Sequence, residues 1–370
     1  MLMDGFYLGG AQRVVIDLCR ACSATKRHQI TIAVSKNEGP LKSDVEKIIK
    51  CYEFGEYRSW LSARSLAKKL SDICLENDID IIVSHMTSLN KSVARAKIFN
   101  SSLPPVIAVE HTEIGRQFVN ARSLWKRLVR PIETKILYKK LDKIIVVSEK
   151  IADELASFCS VDRDKMVTIH NPVDTSRAAT SVAFNGRTSS LTGKTVISVG
   201  RFDQVKNFPL LIRAFSAATK RRGCREDRLL LVGDGPLLQQ LKDLALSLNI
   251  EEQVIFCGFQ KDVFSYLRSS DVFVSTSHFE GLGNAMLEAI ACDCPCIAMR
   301  TAGSQEISNY VDGISLLDQG DEDGLSQKIY EHLENPKLQV SESDKAFVSG
   351  LSPDRVLLRY QDVIRQVLEK

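Results

Sequence analysis

The sequence predicts a two-domain α/β protein in which each half is a doubly wound, mostly parallel sheet. Three observations carry this expectation. Short β-rich apolar runs alternate with helical patterns along the whole chain. A length of 370 residues exceeds what one hydrophobic core usually organises. Several apolar strands run straight into glycine-containing loops, where open α/β sheets bind ligands.

In the first half, strands are expected at 29–34, 79–84, 106–109, 143–147 and 166–169, with helical patterns between them at 11–24, 61–77 and 90–99. A doubly wound domain should also open on a central strand of about five apolar residues. Here Met1-Leu2-Met3 is followed at once by Asp4-Gly5, so that strand is either stunted or the chain begins late. The second half repeats the alternation. Strands fall at 195–199, 229–232, 254–256, 272–274, 296–298 and 313–316, and helices at 208–221, 236–248, 263–267, 284–292 and 323–333. Both halves read as Rossmann-like. Between them, His170-Asn171-Pro172-Val173-Asp174 stops a strand with proline, and 175–194, rich in Ser, Thr, Arg and Gly, reads as linker and solvent loop. In the last helix, 354–368, Val356, Leu357, Tyr360, Val363, Ile364 and Val367 share one face that must pack on something. Domains are therefore expected at 1–171 and 172–350, with 351–370 as a helix packing back on the first.

Composition excludes several classes. No run of about 18 apolar residues is present, so no span of a membrane is expected. The first residues lack a basic region followed by an apolar one, so no secretory signal is expected either. Ten scattered cysteines in a chain of this size favour a reducing cytoplasm. Cys292, Cys294 and Cys296 alternate at a helix-to-strand turn; a metal site is the alternative there, buried thiols the better reading. A net charge of +3 excludes a general polyanion binder. The stretch 113–143 alone carries +6, however, leaving −3 for the remainder.

Five stretches carry chemistry. In Phe279-Glu280-Gly281-Leu282-Gly283-Asn284-Ala285-Met286-Leu287-Glu288, two carboxylates bracket seven residues after a strand that ends in polar side chains. Gly281 and Gly283 let backbone approach a ligand, and a helix starting near Asn284 offers N–H groups to an anion. Glu288 is the one charge in an apolar helix, where a vicinal diol such as ribose would supply hydrogen-bond donors. Equally, Glu280 can be a solvated loop residue and Glu288 a salt-bridge partner. In Gly200-Arg201-Phe202-Asp203-Gln204-Val205-Lys206-Asn207, two cations five apart follow an apolar strand and can converge on a diphosphate, or be ordinary surface cations. Gly233-Asp234-Gly235-Pro236 is a strand-end glycine turn, compatible with a nucleotide-side loop but good turn chemistry anywhere. In the first half, Gly9-Gly10 precedes a helix, and His111 follows a strand beside Glu110, where a lone histidine is more often structural.

Together these stretches resemble glycosyltransferase family 4, whose two-Rossmann-domain architecture is called GT-B. The resemblance rests on Gly9-Gly10-Ala11-Gln12-Arg13-Val14-Val15, His111, Asn171-Pro172-Val173-Asp174, the Arg201…Lys206 pair, Val232-Gly233-Asp234-Gly235-Pro236 and the Glu280-x7-Glu288 box, in the family's order and spacing. It implies two Rossmann-like domains facing an interdomain cleft and retaining transfer from a nucleotide-diphosphate sugar, UDP by family frequency. No metal ion and no cofactor beyond that donor are implied. Arg201 and Lys206 would hold the diphosphate and stabilise its departure, and Glu288 would bind ribose. Glu280, with the backbone of Gly281, Leu282, Gly283 and Asn284, would hold the donor sugar. His111 would touch that sugar from the N-terminal domain, Gly10 would approach the diphosphate or acceptor, and Gly233 would sit beside the nucleotide. Breaking the glycosidic bond puts negative charge on phosphate and positive charge on the anomeric carbon, which suits those groups.

Leu124, Trp125, Leu128, Val129, Ile132, Ile136, Leu137 and Leu141 interleave with the basic residues of 116–143, and Pro131 is expected to begin a second helix. Such a segment suits an anionic membrane surface; a core-packed helix pair with a solvated cationic face is the alternative. With the resemblance, the expected acceptor is a glycan or polyprenyl-diphosphate-linked saccharide in surface-polysaccharide synthesis, at the cytoplasmic face of the membrane. The other functional readings are a non-catalytic nucleotide-sugar-binding regulator and a GT-B UDP-sugar epimerase. UDP release that requires an acceptor separates the transferase from both.

Overall fold

In the computed structural model, which describes residues 1–7, 9–25, 28–113, 124–182, 193–335 and 340–369, the chain divides into two compact units. One comprises Met1–Pro172 with Pro353–Lys370, the other Val173–Ser352. Each is built on a single parallel sheet with helices between successive strands.

The first unit has strands β1 (Leu2–Met3), β2 (Thr31–Val34), β3 (Lys50–Glu53), β4 (Ile82–His85), β5 (Val106–Glu110), β6 (Lys143–Val146) and β7 (Met166–Thr168). Their order is β3-β2-β1-β4-β5-β6-β7, so the winding reverses between β1 and β4. The first strand is stunted: two residues pair with both neighbours, Leu2 opposite Ala33 and Ser84, Met3 opposite Val34. The Met1 carbonyl lengthens the ladder by accepting from the Ala33 N–H at 2.9 Å. Met3 and Phe6 are buried with Val15, Ile16, Cys19, Ile32 and Val34, so the short strand still seeds a core. The edge strand β3 was not expected, because Lys-Cys-Tyr-Glu exposes both ends and carries no apolar run.

Helix Gly10–Thr25 packs against the last helix, Pro353–Leu368. Val356, Leu357, Tyr360, Val363 and Val367 are buried there, which accounts for the apolar face of that helix. Around Pro131 the structure corrects the expectation: Leu124–Tyr138 is one helix with the proline inside it. Proline removes one N–H from the ladder. The Thr134 hydroxyl donates to the Arg130 carbonyl at 2.8 Å within the same helix.

The second unit has strands β8 (Thr195–Val199), β9 (Arg228–Val232), β10 (Val254–Gly258), β11 (Val272–Ser275), β12 (Cys296–Met299) and β13 (Ile314–Leu317), ordered β10-β9-β8-β11-β12-β13. Its winding reverses between β8 and β11. Helices Phe208–Arg222 and Glu322–Glu334 cover one face around Phe202, Phe208, Leu211, Phe215, Leu231 and Ile329. The stretch after residue 174 is not wholly loop, since Thr175–Thr180 is a short helix capped by Asp174, whose Oδ1 accepts from the Arg177 N–H at 3.0 Å. Residues 183–192 lie outside the described residues. Cys292, Cys294 and Cys296 are buried, and burial pushes all three thiols up, that of Cys292 to about 12. Among the described residues, no group of three or more His, Cys, Asp or Glu side chains is placed to hold a metal ion. No helix among them is long and apolar enough to cross a membrane.

Candidate active site

In the second unit, three loops meet at the carboxyl ends of β8, β9 and β11, beside the reversal of winding where such sheets bind ligands. The 200–207 loop is anchored by Phe202, fully buried edge-on to Phe208 at 5.0 Å between ring centroids. Its N–H donates to the Asp234 carbonyl at 3.0 Å, and its carbonyl accepts from Leu237 N–H at 3.0 Å, tying the loop to 233–236. The Asp203 carboxylate accepts from the Val205 and Lys206 N–H groups at 3.0 and 3.2 Å and folds the turn between the two cations. Arg201 is left exposed and Lys206 half-buried. Gly233 is obligatory: its φ is +143°, and a Cβ there would lie 1.9 Å from the Gly200 carbonyl oxygen.

The glutamate box joins the same loops. The Thr276 hydroxyl meets the Lys206 and Asn207 carbonyls at 2.9 and 3.0 Å, and the His278 N–H donates to the Val205 carbonyl at 2.8 Å. These bonds set Glu280 against Lys206, whose ammonium donates to Glu280 Oε1. Ser277, buried, donates its hydroxyl to the same oxygen at 2.7 Å. The Glu280 carbonyl accepts from Gly303 N–H at 3.0 Å, where a Cβ on residue 303 would come within 2.6 Å of the Leu282 carbonyl carbon. Gly283 then stands in the left-handed region at φ +87° and starts helix Asn284–Ala291. Gly281 and Asn284 are half-buried and Leu282 is buried. Glu288 lies midway along that helix, half-buried rather than enclosed. Arg201, Lys206, Gly233, Glu280, Gly281–Asn284 and Glu288 thus belong to one unit and one end of one sheet.

Gly10 and His111 belong to the other unit. Gly10 is exposed and begins helix Gly10–Thr25. His111 and Glu110 diverge, as consecutive residues at a strand end do. Glu110 is fully buried and accepts from Thr87 Oγ1 at 2.6 Å, from Asn90 Nδ2 at 2.7 Å and from the Tyr138 hydroxyl. Burial raises its pKa, and those donors and Lys91 pull it back down. His111 is also buried, with Nε2 3.0 Å from Nδ1 of His85, the last residue of β4. Burial lowers the His111 pKa to about 4, while Asn171 works in the opposite direction. His85 is lowered well below the usual histidine value, by burial first and by His111 second.

Ser277, Thr276, Gly303 and His85 escaped the sequence reading. Thr276 and Ser277 stand in the polar run just after β11 and Gly303 within a Thr-x-x-Ser capping pattern, but neither signal names a partner. Nothing in the order of residues couples His85 to His111. Of the basic stretch, Arg116 and Arg122 lie outside the described residues, as do the side chains of 124–129. In the remainder Leu137 and Leu141 are buried, whereas Ile132 and Ile136 are exposed.

Two parallel-sheet units, the second with strand-end loops that converge on a Lys–Glu pair, are of the GT-B type found in glycosyltransferases. Residues 8–177 match Glycosyltransferase Family 4, and residues 193–335 match Glycosyl transferases group 1. The chain belongs to family 4 of the glycosyltransferases. It is 25% identical over 363 residues to N-acetylgalactosamine-N,N'-diacetylbacillosaminyl-diphospho-undecaprenol 4-alpha-N-acetylgalactosaminyltransferase of Campylobacter jejuni, covering 97% of this chain and 96% of that one. It is 24% identical over 313 residues to N-acetyl-alpha-D-glucosaminyl L-malate synthase of Bacillus anthracis, covering 82% and 79%. Among solved structures, Anabaena HepE in complex with UDP-glucose superposes with a TM-score of 0.78 at 17% identity, covering 99% of this chain and 98% of that one.

Proposed function

We propose that this glycosyltransferase is a retaining enzyme that moves a hexose or N-acetylhexosamine from a UDP-sugar to a glycan or lipid-linked acceptor in surface-polysaccharide synthesis. The observation that carries the donor side is the Lys206–Glu280 pair braced by Ser277. It sets a fixed cation beside a fixed carboxylate, the two charges a departing diphosphate and a developing oxocarbenium each require. Arg201 adds a forked donor for the diphosphate. Glu288 takes the ribose hydroxyls, and Glu280 with the backbone of 281–284 takes the sugar. Gly233 keeps the nucleotide-side loop close-packed. His111 meets the transferring sugar, and Gly10 starts the helix that approaches the diphosphate or acceptor. The chemistry runs without a metal ion, with the two cations neutralising the leaving group.

UDP as the donor base is supported by the HepE complex, and a polyprenyl-diphosphate-linked acceptor by the name of the Campylobacter relative. Peripheral docking on the cytoplasmic face of an anionic membrane is supported by exposed Ile132 and Ile136 on a helix followed by exposed Lys139 and Lys140. Thermal shift with UDP, GDP and ADP tests the base. UDP release from UDP-sugars, with and without an undecaprenyl-diphosphate-linked saccharide, tests transfer. The anomeric proton coupling of the product tests retention; an inverted product overturns that part. Sedimentation with phosphatidylglycerol vesicles tests docking, and binding that is absent at low salt counts against it.

A further inference from the structure

His85 has no part in the roles above, yet it is a fully buried imidazole at the end of a central strand. Its ring meets that of His111 edge to edge, with centroids 5.3 Å apart and planes 21° from parallel. Two ring nitrogens 3.0 Å apart are in hydrogen-bond contact, so one must carry a proton and the other must not. Burial keeps both rings neutral near pH 7, so each has a single N–H to place. Which nitrogen of a histidine holds the proton is set by the bond its other nitrogen makes. The tautomers of the two rings are therefore linked.

The surroundings make this contact stiff. β4 and β5 are neighbouring strands with His85 opposite Val109, and the N–H of Met86 donates to the Val109 carbonyl at 3.1 Å. Met86 is held at φ +75°, a conformation that side-chain-bearing residues adopt only under constraint. It also meets Nε2 of Gln12, on the first turn of the helix that Gly10 starts, through its sulfur at 3.9 Å. Asn171 favours a proton on the His111 ring. The nitrogen not engaged by His85 is Nδ1, which is buried, so Nδ1 is the place left for the His111 proton when Nε2 accepts.

We propose that His85 is a positioning residue: its Nδ1–H donates to His111 Nε2 and holds His111 in the tautomer that carries its proton on Nδ1. The orientation of the His111 ring is thereby locked for its contact with the transferring sugar. This rests on the assignment of His111 to that sugar.

The test compares His85→Ala, His85→Asn and His111→Ala. Turnover is read as UDP release from UDP-N-acetylhexosamine with an undecaprenyl-diphosphate-linked saccharide, and 15N-histidine NMR reads the tautomer directly. His85→Ala should lower kcat/KM about tenfold, the scale of one lost hydrogen bond in a positioned group, with UDP affinity unchanged. His85→Asn keeps an N–H donor where Nδ1 stood and should restore most of the loss. In the wild type, the His111 Nε2 resonance should fall in the range of an unprotonated ring nitrogen, and in His85→Ala it should move toward the protonated range. An Nε2 that is already protonated in the wild type overturns the proposal, as does His85→Ala with wild-type kcat/KM while His111→Ala is impaired. If His111→Ala itself turns over normally, it is the role of His111 that fails, a separate result. Should His85→Ala lose its thermal transition, the wild-type NMR signature and the His85→Asn rate decide the matter.

Discussion

Replacing Glu280 by glutamine separates what the carboxylate does for binding from what it does for catalysis. Glutamine keeps the shape and can still accept from Ser277 and Lys206, so the three-loop arrangement should survive. The negative charge is what disappears. In the structure that charge occupies the Lys206 ammonium, which an incoming diphosphate also needs. A hydrogen bond between ionised partners is roughly twice as strong as a neutral one, so the amide competes less well for the ammonium. Removing a like charge beside the diphosphate should tighten UDP binding by up to about tenfold, or about 1.4 kcal/mol. The transition state moves the other way. Positive charge developing at the anomeric carbon loses its fixed partner, a class of loss worth roughly 3 kcal/mol, and turnover should fall about a hundredfold. Calorimetric titration with UDP and a coupled assay of UDP release measure the two effects. A parallel loss of UDP affinity and turnover would show that Glu280 merely holds the loop, and turnover within about twofold of wild type would refute its catalytic role.

Arg201→Ala and Lys206→Ala should each lower turnover about a hundredfold, and near-wild-type rates for both would remove the diphosphate assignment. Gly233→Ala puts a methyl into the Gly200 carbonyl and forces φ +143° on alanine, so a loss of more than about 3 kcal/mol is expected, read as a fall in thermal midpoint or failure to fold. His111 is held neutral down to about pH 4 in the fold, whereas an unfolded histidine takes up its proton near pH 6.5. Its contribution to stability is therefore complete above about pH 6.5 and is lost as pH falls toward 4. Over that window the gap in unfolding free energy between wild type and His111→Gln should shift by up to about 3 kcal/mol in favour of the variant, as urea titrations at a series of pH values would show.

Alternating apolar strands and helical patterns made the two sheets legible, because buried parallel strands must be apolar on both faces. What escaped were elements built by other means. β3 has no apolar run, and helices Ala302–Ser308 and Glu342–Ser349 rest on the capping boxes Thr301–Ser304 and Ser341–Asp344. The Pro131 helix differs because proline alone reads as a boundary, whereas inside a helix it removes one N–H and need not end it. At the site, residue type and position drew attention to Arg201, Lys206, Glu280, Glu288 and His111. Partnership was beyond reach: Lys206 and Glu280 stand 74 residues apart, and His85 and His111 stand 26 apart. Only the sheet order brings such ends together. It does so through backbone bonds such as His278 N–H to the Val205 carbonyl, which leave no trace in side-chain identity.

The last helix, Pro353–Leu368, belongs to the unit that begins the chain, covering the helix that starts at Gly10. A ribosome therefore finishes all of Val173–Ser352 before the first unit has its last element. Until then the face opposite Val356, Tyr360 and Val363 stays wet, and the nascent first half has an open seam that a chaperone can grip or a protease can enter. A stop codon that removes only this helix would thus damage the half of the protein farthest from it in sequence, while the nucleotide-side unit could still fold.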